Sequence, residues 1–215
     1  MITFGQLVHR ARSLVVGGNR ALLGITGSPG SGKTTLAEQL IQTLAPVPPP
    51  PLIPAQWVAY VPMDGFHLAD TEFARLHRRG RKGAPDTFDP AGYAALLRRL
   101  HEDGDDVVYA PGFDRSLEQP IAGAIPVPPY ARLIITEGNY LLLTDHGWDR
   151  VRPQLDDVCT STSTRTSACT GSSPAMSGSA RNPPRRSPGP PAPTNATPSS
   201  SARPGPTPIS SSRPA

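Results

Sequence analysis

Residues 27–34 read GSPGSGKT, a full match to the phosphate-loop pattern GxxxxGK followed by Ser or Thr. Glycines at positions 27, 30 and 32 allow the backbone to wrap around a phosphate with successive amide N–H groups turned inward. A helix starting there adds its positive end to the same site. The run of Gly27, Ser28, Pro29, Gly30, Ser31, Gly32, Lys33, Thr34 and Thr35 is therefore the expected nucleotide-phosphate cradle. Lys33 is expected to reach the outer phosphates as a point charge, and Thr34 to offer its hydroxyl to a magnesium ion. A glycine-rich turn without a ligand is the competing interpretation, and the complete motif between a strand and a helix argues against it.

Two carboxylates follow at places where a transfer reaction could use them. Asp64 lies in VPMDGFH, just past a strand, with Gly65 expected to free the backbone to turn out of the sheet. An Asp facing a phosphate loop can orient an attacking hydroxyl and accept its proton, although an Asp before Gly is also a common turn residue. Glu137, in LIITEGNY, follows a strand of four apolar or β-branched residues and precedes a glycine. A carboxylate there can hold magnesium directly or through water, or can act as a helix or turn cap. Two polar, glycine-punctuated segments, residues 78–89 and 109–116, carry Arg81, Lys82 and Arg115, which could bind an acceptor or the migrating phosphate or simply be solvated. His67 is a further candidate for contact with the acceptor, or a structural histidine.

The elements that must position these groups are legible as periodicities. Thr3 and Gln6 have capping-box spacing, and Phe4, Leu7, Val8, Ala11, Leu14 and Val15 recur at helical intervals. Residues 21–26 read as a buried strand, and Leu36, Ala37, Leu40, Ile41 and Leu44 mark one face of a second helix. Pro46, Pro48 to Pro51 and Pro54 end that helix and predict a stiff, extended connection. Residues 57–61 predict a second strand, Asp89-Pro90 a helix start with Tyr93, Leu96, Leu97 and Leu100 on one face, and residues 107–109 and 133–136 two further strands. Alternating strands and helices predict an α/β fold with a mostly parallel sheet, in which ligands sit at the carboxyl ends of the strands.

Composition divides the chain of 215 residues. From Cys159 to Ala215 there is no Leu, Val, Phe, Tyr, Trp, Asp, Glu, Lys or His, so residues 1–158 are expected to form the domain and 159–215 a low-complexity, disordered tail. The tail holds Arg165, Arg181, Arg185, Arg186, Arg203 and Arg213 and no acid; without these six the formal net charge of +4 becomes −2. The basic balance is thus no sign of a nucleic-acid-binding domain, and the tail arginines lack lysines or stacking aromatics beside them. Cys159 and Cys169 both fall in the tail, so neither a disulfide framework nor a cysteine metal site is expected to support the domain, which fits a cytoplasmic protein. No apolar run approaches the roughly 18–20 residues needed to span a bilayer, and no secretory leader is evident, so no membrane association is expected.

Taken in order, GSPGSGKT, PMDGFHL, RKGAPDTFD, YAPGFDRS and ITEGNYLLL, with Trp148 following, resemble the P-loop kinase superfamily that includes uridine kinase, bacterial pantothenate kinase and phosphoribulokinase. The likeness covers residues 20–158 and is greatest to the bacterial nucleoside/nucleotide kinase-like branch, some members of which are described as sugar or fructose-transport-associated kinases. It implies a P-loop NTPase three-layer α/β/α sandwich and a magnesium-dependent transfer of the ATP γ-phosphate to a hydroxyl of a small molecule. It further implies that Asp64 is the base, that Glu137 stands on the metal or acceptor side, and that His67, Lys82, Tyr109 and Arg115 line an acceptor pocket. The acceptor (nucleoside, pantothenate-like or sugar) and the oligomeric state, a homodimer among the options, stay open. A regulatory P-loop NTPase is the alternative, but it gives segments 78–89 and 109–116 no purpose.

The superfamily continues past Leu155 and Asp156 into another core strand and an arginine-bearing lid. This chain is expected to lack both, its fold being C-terminally incomplete. The tail residues are mostly those whose codons carry C or G at the second position, as expected if the third codon positions of a GC-rich gene were being read as second ones. Shifting the frame near Val158 lets Cys159 to Thr164 become Leu-Tyr-Leu-Asp-Val-Asp, the alternating pattern of a strand. A reading-frame shift, with weak or absent kinase activity and poor stability, is the resulting expectation.

Overall fold

The computed structural model describes residues 2–50, 52 and 57–162. The rest of the expected proline spacer, residues 51 and 53–56, and the expected tail from residue 163 onward lie outside the described residues. Helix α1 (Phe4–Ser13) opens with the capping box: the Thr3 N–H donates to Gln6 Oε1 at 2.7 Å and the Gln6 N–H to Thr3 Oγ1 at 3.2 Å. Strand β1 (Ala21–Thr26) is buried along its whole length and runs into the phosphate loop, after which α2 (Lys33–Leu44) begins. Strand β2 (Val58–Tyr60) leads to a 3₁₀ turn, Met63–Phe66, which carries Asp64. Helix α3 (Asp70–Arg75) is short; α4 (Pro90–His101) starts where expected, with the Asp89 carboxylate accepting from the Gly92 N–H at 2.8 Å. The chain then forms β3 (Val108–Asp114), β4 (Gln119–Val127), β5 (Leu133–Gly138) and β6 (Asp157–Thr160).

The main sheet has the order β2-β5-β1-β6 and is parallel throughout. Its central pair runs in register from Ala21 opposite Leu133 to Thr26 opposite Gly138. Two-residue alternation divides the core. Leu22, Ile134 and Val158 point to one face, against Tyr93, Leu97 and Leu100 of α4 and the buried Trp148. Leu23, Ile25, Leu133, Ile135 and Cys159 point to the other, against Leu7 and Ala11 of α1 and Leu36 and Leu40 of α2. The result is the expected α/β/α layering.

Two expectations need correction. Residues 107–109 do not add a strand to the parallel sheet; β3 extends to Asp114 and pairs antiparallel with β4 as a separate hairpin, bulged between Ala110 and Gly112. Segment 109–116 is thus largely strand rather than loop. β4 escaped notice because prolines and glycines dilute its alternation of Ile121, Ile125 and Val127. The chain also does not lack the further core strand: β6 pairs with the free side of β1, from Leu23 opposite Asp157 to Thr26 opposite Thr160. Four residues suffice, because backbone pairing needs no particular side chain and Val158 and Cys159 are each small enough to fill one face of the core.

Candidate active site

All the groups singled out at strand ends converge at the carboxyl edge of the sheet. Gly30 and Gly32 take φ of +74° and +81°, so the loop between β1 and α2 passes twice through the left-handed region that glycine tolerates. No side chain caps α2 at Gly32. Lys33 is buried, and its Nζ donates to the Ser28 carbonyl at 3.0 Å across the loop. Burial lowers its pKa, and the charges of Glu137 and then Asp64 oppose that shift. The Ser31 hydroxyl is buried and has no hydrogen-bond partner among the described residues, so the loop holds a polar group that a bound phosphate could satisfy.

Register explains the placement of Glu137. It lies two residues beyond Ile135 on the same face of β5, opposite Ile25 at the end of β1, and so faces the start of α2. Its Oε1 accepts from the Thr34 hydroxyl at 3.3 Å and from the Tyr60 hydroxyl at 3.0 Å. Burial, followed by the charge of Asp64, raises the Glu137 pKa, while the Tyr60 bond, the Lys33 charge and the Thr34 bond pull it back. Burial and the same carboxylate raise the Tyr60 pKa, keeping the phenol a donor. A hydroxyl and a carboxylate in contact beside a phosphate loop are a suitable donor set for magnesium, which takes few protein ligands and completes its shell with phosphate and water.

A cavity of about 180 Å³ is lined by Thr34, Tyr60, Pro62, Asp64, Phe113, Arg115 and Glu137. Asp64 reaches it because the 3₁₀ turn packs directly on the hairpin. The Gly65 α-carbon faces the Pro111 backbone so closely that a β-carbon would collide with it. Gly65 therefore serves close approach, and its backbone is not left-handed.

Comparisons with known proteins bear on the family and the fold. No protein-family model matches the chain. A crystal structure provisionally titled as a fructose transport system kinase, from Silicibacter sp. TM1040, is 35% identical, covers 74% of each chain and superposes with a TM-score of 0.63. The chain belongs to the P-loop kinase superfamily. A protein of Schizosaccharomyces pombe, provisionally named a uridine kinase, is 35% identical over 150 residues, which is 68% of this chain and 62% of that protein. A circularly permuted P-loop protein of Saccharomyces cerevisiae, titled provisionally as a kinase, is 18% identical over 71% of this chain and 78% of its own, with a TM-score of 0.59, a likeness of fold alone. The chain spans between 50% and 62% of the length of the first curated relatives it matches.

The remaining predicted residues of this P-loop kinase family member separate clearly. Arg115 lines the cavity; His67, Lys82 and Tyr109 do not. His67 donates through Nδ1 to the Asp64 carbonyl at 2.8 Å and packs its ring 3.9 Å from Phe88 and 4.8 Å from Phe113, so it braces the turn. Lys82 donates to the Glu118 carbonyl at 2.6 Å, pairs with the carboxylates of Glu118 and Asp70, and lies 5.6 Å above Phe113. It borders a different, larger cavity with Asp70, Phe73 and Arg79. Tyr109 is 59% exposed on the outer face of the hairpin. Sequence reasoning missed Tyr60 and Phe113, whose only signal was their place in strands ending near the site. It also missed Ser161, whose N–H donates to the Thr26 carbonyl and whose hydroxyl donates to the Ser31 carbonyl, both at 2.7 Å, bracing the phosphate loop from below.

Proposed function

We propose that the chain is an ATP-dependent kinase that moves the γ-phosphate of ATP to a hydroxyl of a small molecule. The observation that carries this proposal is the shared cavity, in which Asp64 and Arg115 stand with Thr34 and Glu137 at the mouth of the phosphate loop. A regulatory NTPase would have no use for a second carboxylate and an arginine on a hairpin wall. The names of the relatives point to a nucleoside or a sugar as the acceptor class.

In this mechanism the loop amides and Lys33 hold the phosphates and offset charge that builds during transfer. Thr34 and Glu137 would hold magnesium, which when bound neutralises phosphate charge. Asp64 accepts the proton of the acceptor hydroxyl as its oxygen bonds to the γ-phosphorus. The bond to the β–γ bridging oxygen breaks, and ADP leaves with that electron pair. Phe113 offers an apolar wall to the acceptor, and Arg115 a charge-assisted donor.

The test is a panel of nucleosides, pantothenate and sugars with ATP and magnesium, read as ADP release and phosphorylated product. Replacing Asp64 by Asn is expected to lower kcat by about 10²- to 10⁴-fold while ATP binding stays unchanged. Undiminished transfer by Asp64→Asn would rule out the assigned base, and hydrolysis indifferent to every acceptor would favour the regulatory alternative.

We also propose a reading-frame shift near Val158, from composition. The part of the expectation that the structure overturns is the missing strand, since β6 is present; the lid arginines would fall beyond the described residues. Sequencing the gene tests it, because stop codons or no apolar alternation in the alternative frame would end the idea. Turnover of roughly 1–100 s⁻¹ by this chain as it stands would contradict impaired activity.

A further inference from the structure

Among the described residues, only one of the two carboxylate oxygens of Glu137 is hydrogen-bonded. Oε1 accepts both hydroxyl bonds, from Thr34 and from Tyr60, whereas Oε2 makes no hydrogen bond among the described residues. Thr34 belongs to the phosphate loop, so its bond to Oε1 joins the carboxylate to the expected metal position. Tyr60 comes from a different element, β2, and reaches the same oxygen because Tyr60 pairs with Ile135 in register and Glu137 follows two residues later on that face. The ring of Tyr60 packs, partly buried, against the core on the α2 side, which brings its hydroxyl to Oε1 of Glu137.

We infer that Tyr60 is a positioning residue that commits Oε1 of Glu137 to Thr34 and Tyr60, leaving Oε2 as the oxygen offered to a divalent cation bound with nucleotide; this rests on the kinase proposal. Two hydroxyl donors on one oxygen stop the carboxylate from rotating about its terminal torsion, which for Glu is broad and otherwise poorly restrained. Outer partners of this kind typically change metal affinity by about 10- to 100-fold. Tyr60 touches the cavity as well, but its proposed effect passes through Glu137.

Tyr60→Phe keeps the ring and removes only the donor, so the core contact survives. The probe is Mn²⁺ with ADP, titrated calorimetrically and by Mn²⁺ electron paramagnetic resonance, against ADP alone in EDTA. Tyr60→Phe is expected to weaken Mn²⁺-dependent ADP binding by about tenfold and to leave metal-free ADP binding unchanged. Combined with Glu137→Gln it is expected to cause no further loss beyond Glu137→Gln alone. Wild-type Mn²⁺ affinity in Tyr60→Phe would overturn the inference and leave the kinase proposal standing, as would an equal loss of metal-free ADP or a further loss in the double variant. A wild-type chain that binds no ADP with or without Mn²⁺ would overturn both.

Discussion

Placing a β-carbon on Gly65 should separate the two walls of the cavity that holds Asp64 and Arg115. Such a carbon would stand 2.7 Å from the Pro111 carbonyl carbon and closer still to its oxygen. Ordinary contact begins near 3.4 Å, so the 3₁₀ turn carrying Asp64 and the hairpin carrying Phe113 and Arg115 must move apart by about 0.7 Å or more. Neither side is a flexible side chain, so the backbone itself has to shift. Overpacking of this kind costs about 1–3 kcal/mol, and a misplacement near 1 Å in a catalytic arrangement can cost about 10²-fold in rate. Gly65→Ala is therefore expected to lower kcat by roughly 10- to 100-fold and to reduce Tm. ATP affinity should hold, because the loop from Gly27 to Thr34 lies on another connection. Gly104→Ala is the control, since a β-carbon there meets nothing within 4 Å. The assay is acceptor-dependent ADP release, with calorimetric ATP titration and thermal melts on the same preparations. Wild-type kcat and Tm in Gly65→Ala would refute the close-approach reasoning, and an equal loss of ATP affinity would refute the separation of the two walls.

Three other outcomes follow from the site. Burial and the Asp64 charge raise the Glu137 pKa above its ordinary 4.5, so the folded chain holds that proton more tightly than the unfolded one, and this group's contribution to stability falls as pH rises from about 4.5 through the raised value. Glu137→Gln is expected to raise the Tm of the nucleotide-free chain at neutral pH, with the gain vanishing in acid below that window; a gain independent of pH, or a lower Tm at neutrality, would contradict it. Ser161→Ala removes the donor bracing the Ser31 carbonyl; one net hydrogen bond of about 0.5–1.5 kcal/mol predicts an ATP Kd roughly 2- to 12-fold higher, and calorimetry showing no change would deny Ser161 that role. Arg115→Ala is expected to raise the acceptor KM by roughly 10- to 100-fold with ATP binding intact, and steady-state kinetics showing the loss in ATP affinity instead would move Arg115 to the nucleotide side.

Much of the parallel core was legible in the chain because its signals are local. The capping box at Thr3 and Gln6, the glycines and Lys33 of the phosphate loop, and the Asp89-Pro90 helix start each depend on neighbours within a few residues. The near-continuous apolar run of Ala21, Leu22, Leu23 and Ile25 announces a strand buried on both sides for the same reason. The hairpin was less visible, since its pairing joins residues such as Gly112 and Ile121 across a turn and its strands carry prolines and glycines.

Sequence by itself determined that this protein has a phosphate loop and carboxylates at strand ends, because residue type and short spacing decide those properties. Tertiary structure alone decided which of the basic and aromatic candidates share a cavity. Arg115 enters it while Lys82 is drawn away to Asp70 and Glu118, and His67 turns inward to brace Asp64. Strand register, through Ile135 opposite Tyr60 and Glu137 two residues on, placed a tyrosine no motif had marked on the carboxylate. Such placements depend on pairings between segments far apart in the chain, and periodicity within one segment carries no record of its partner.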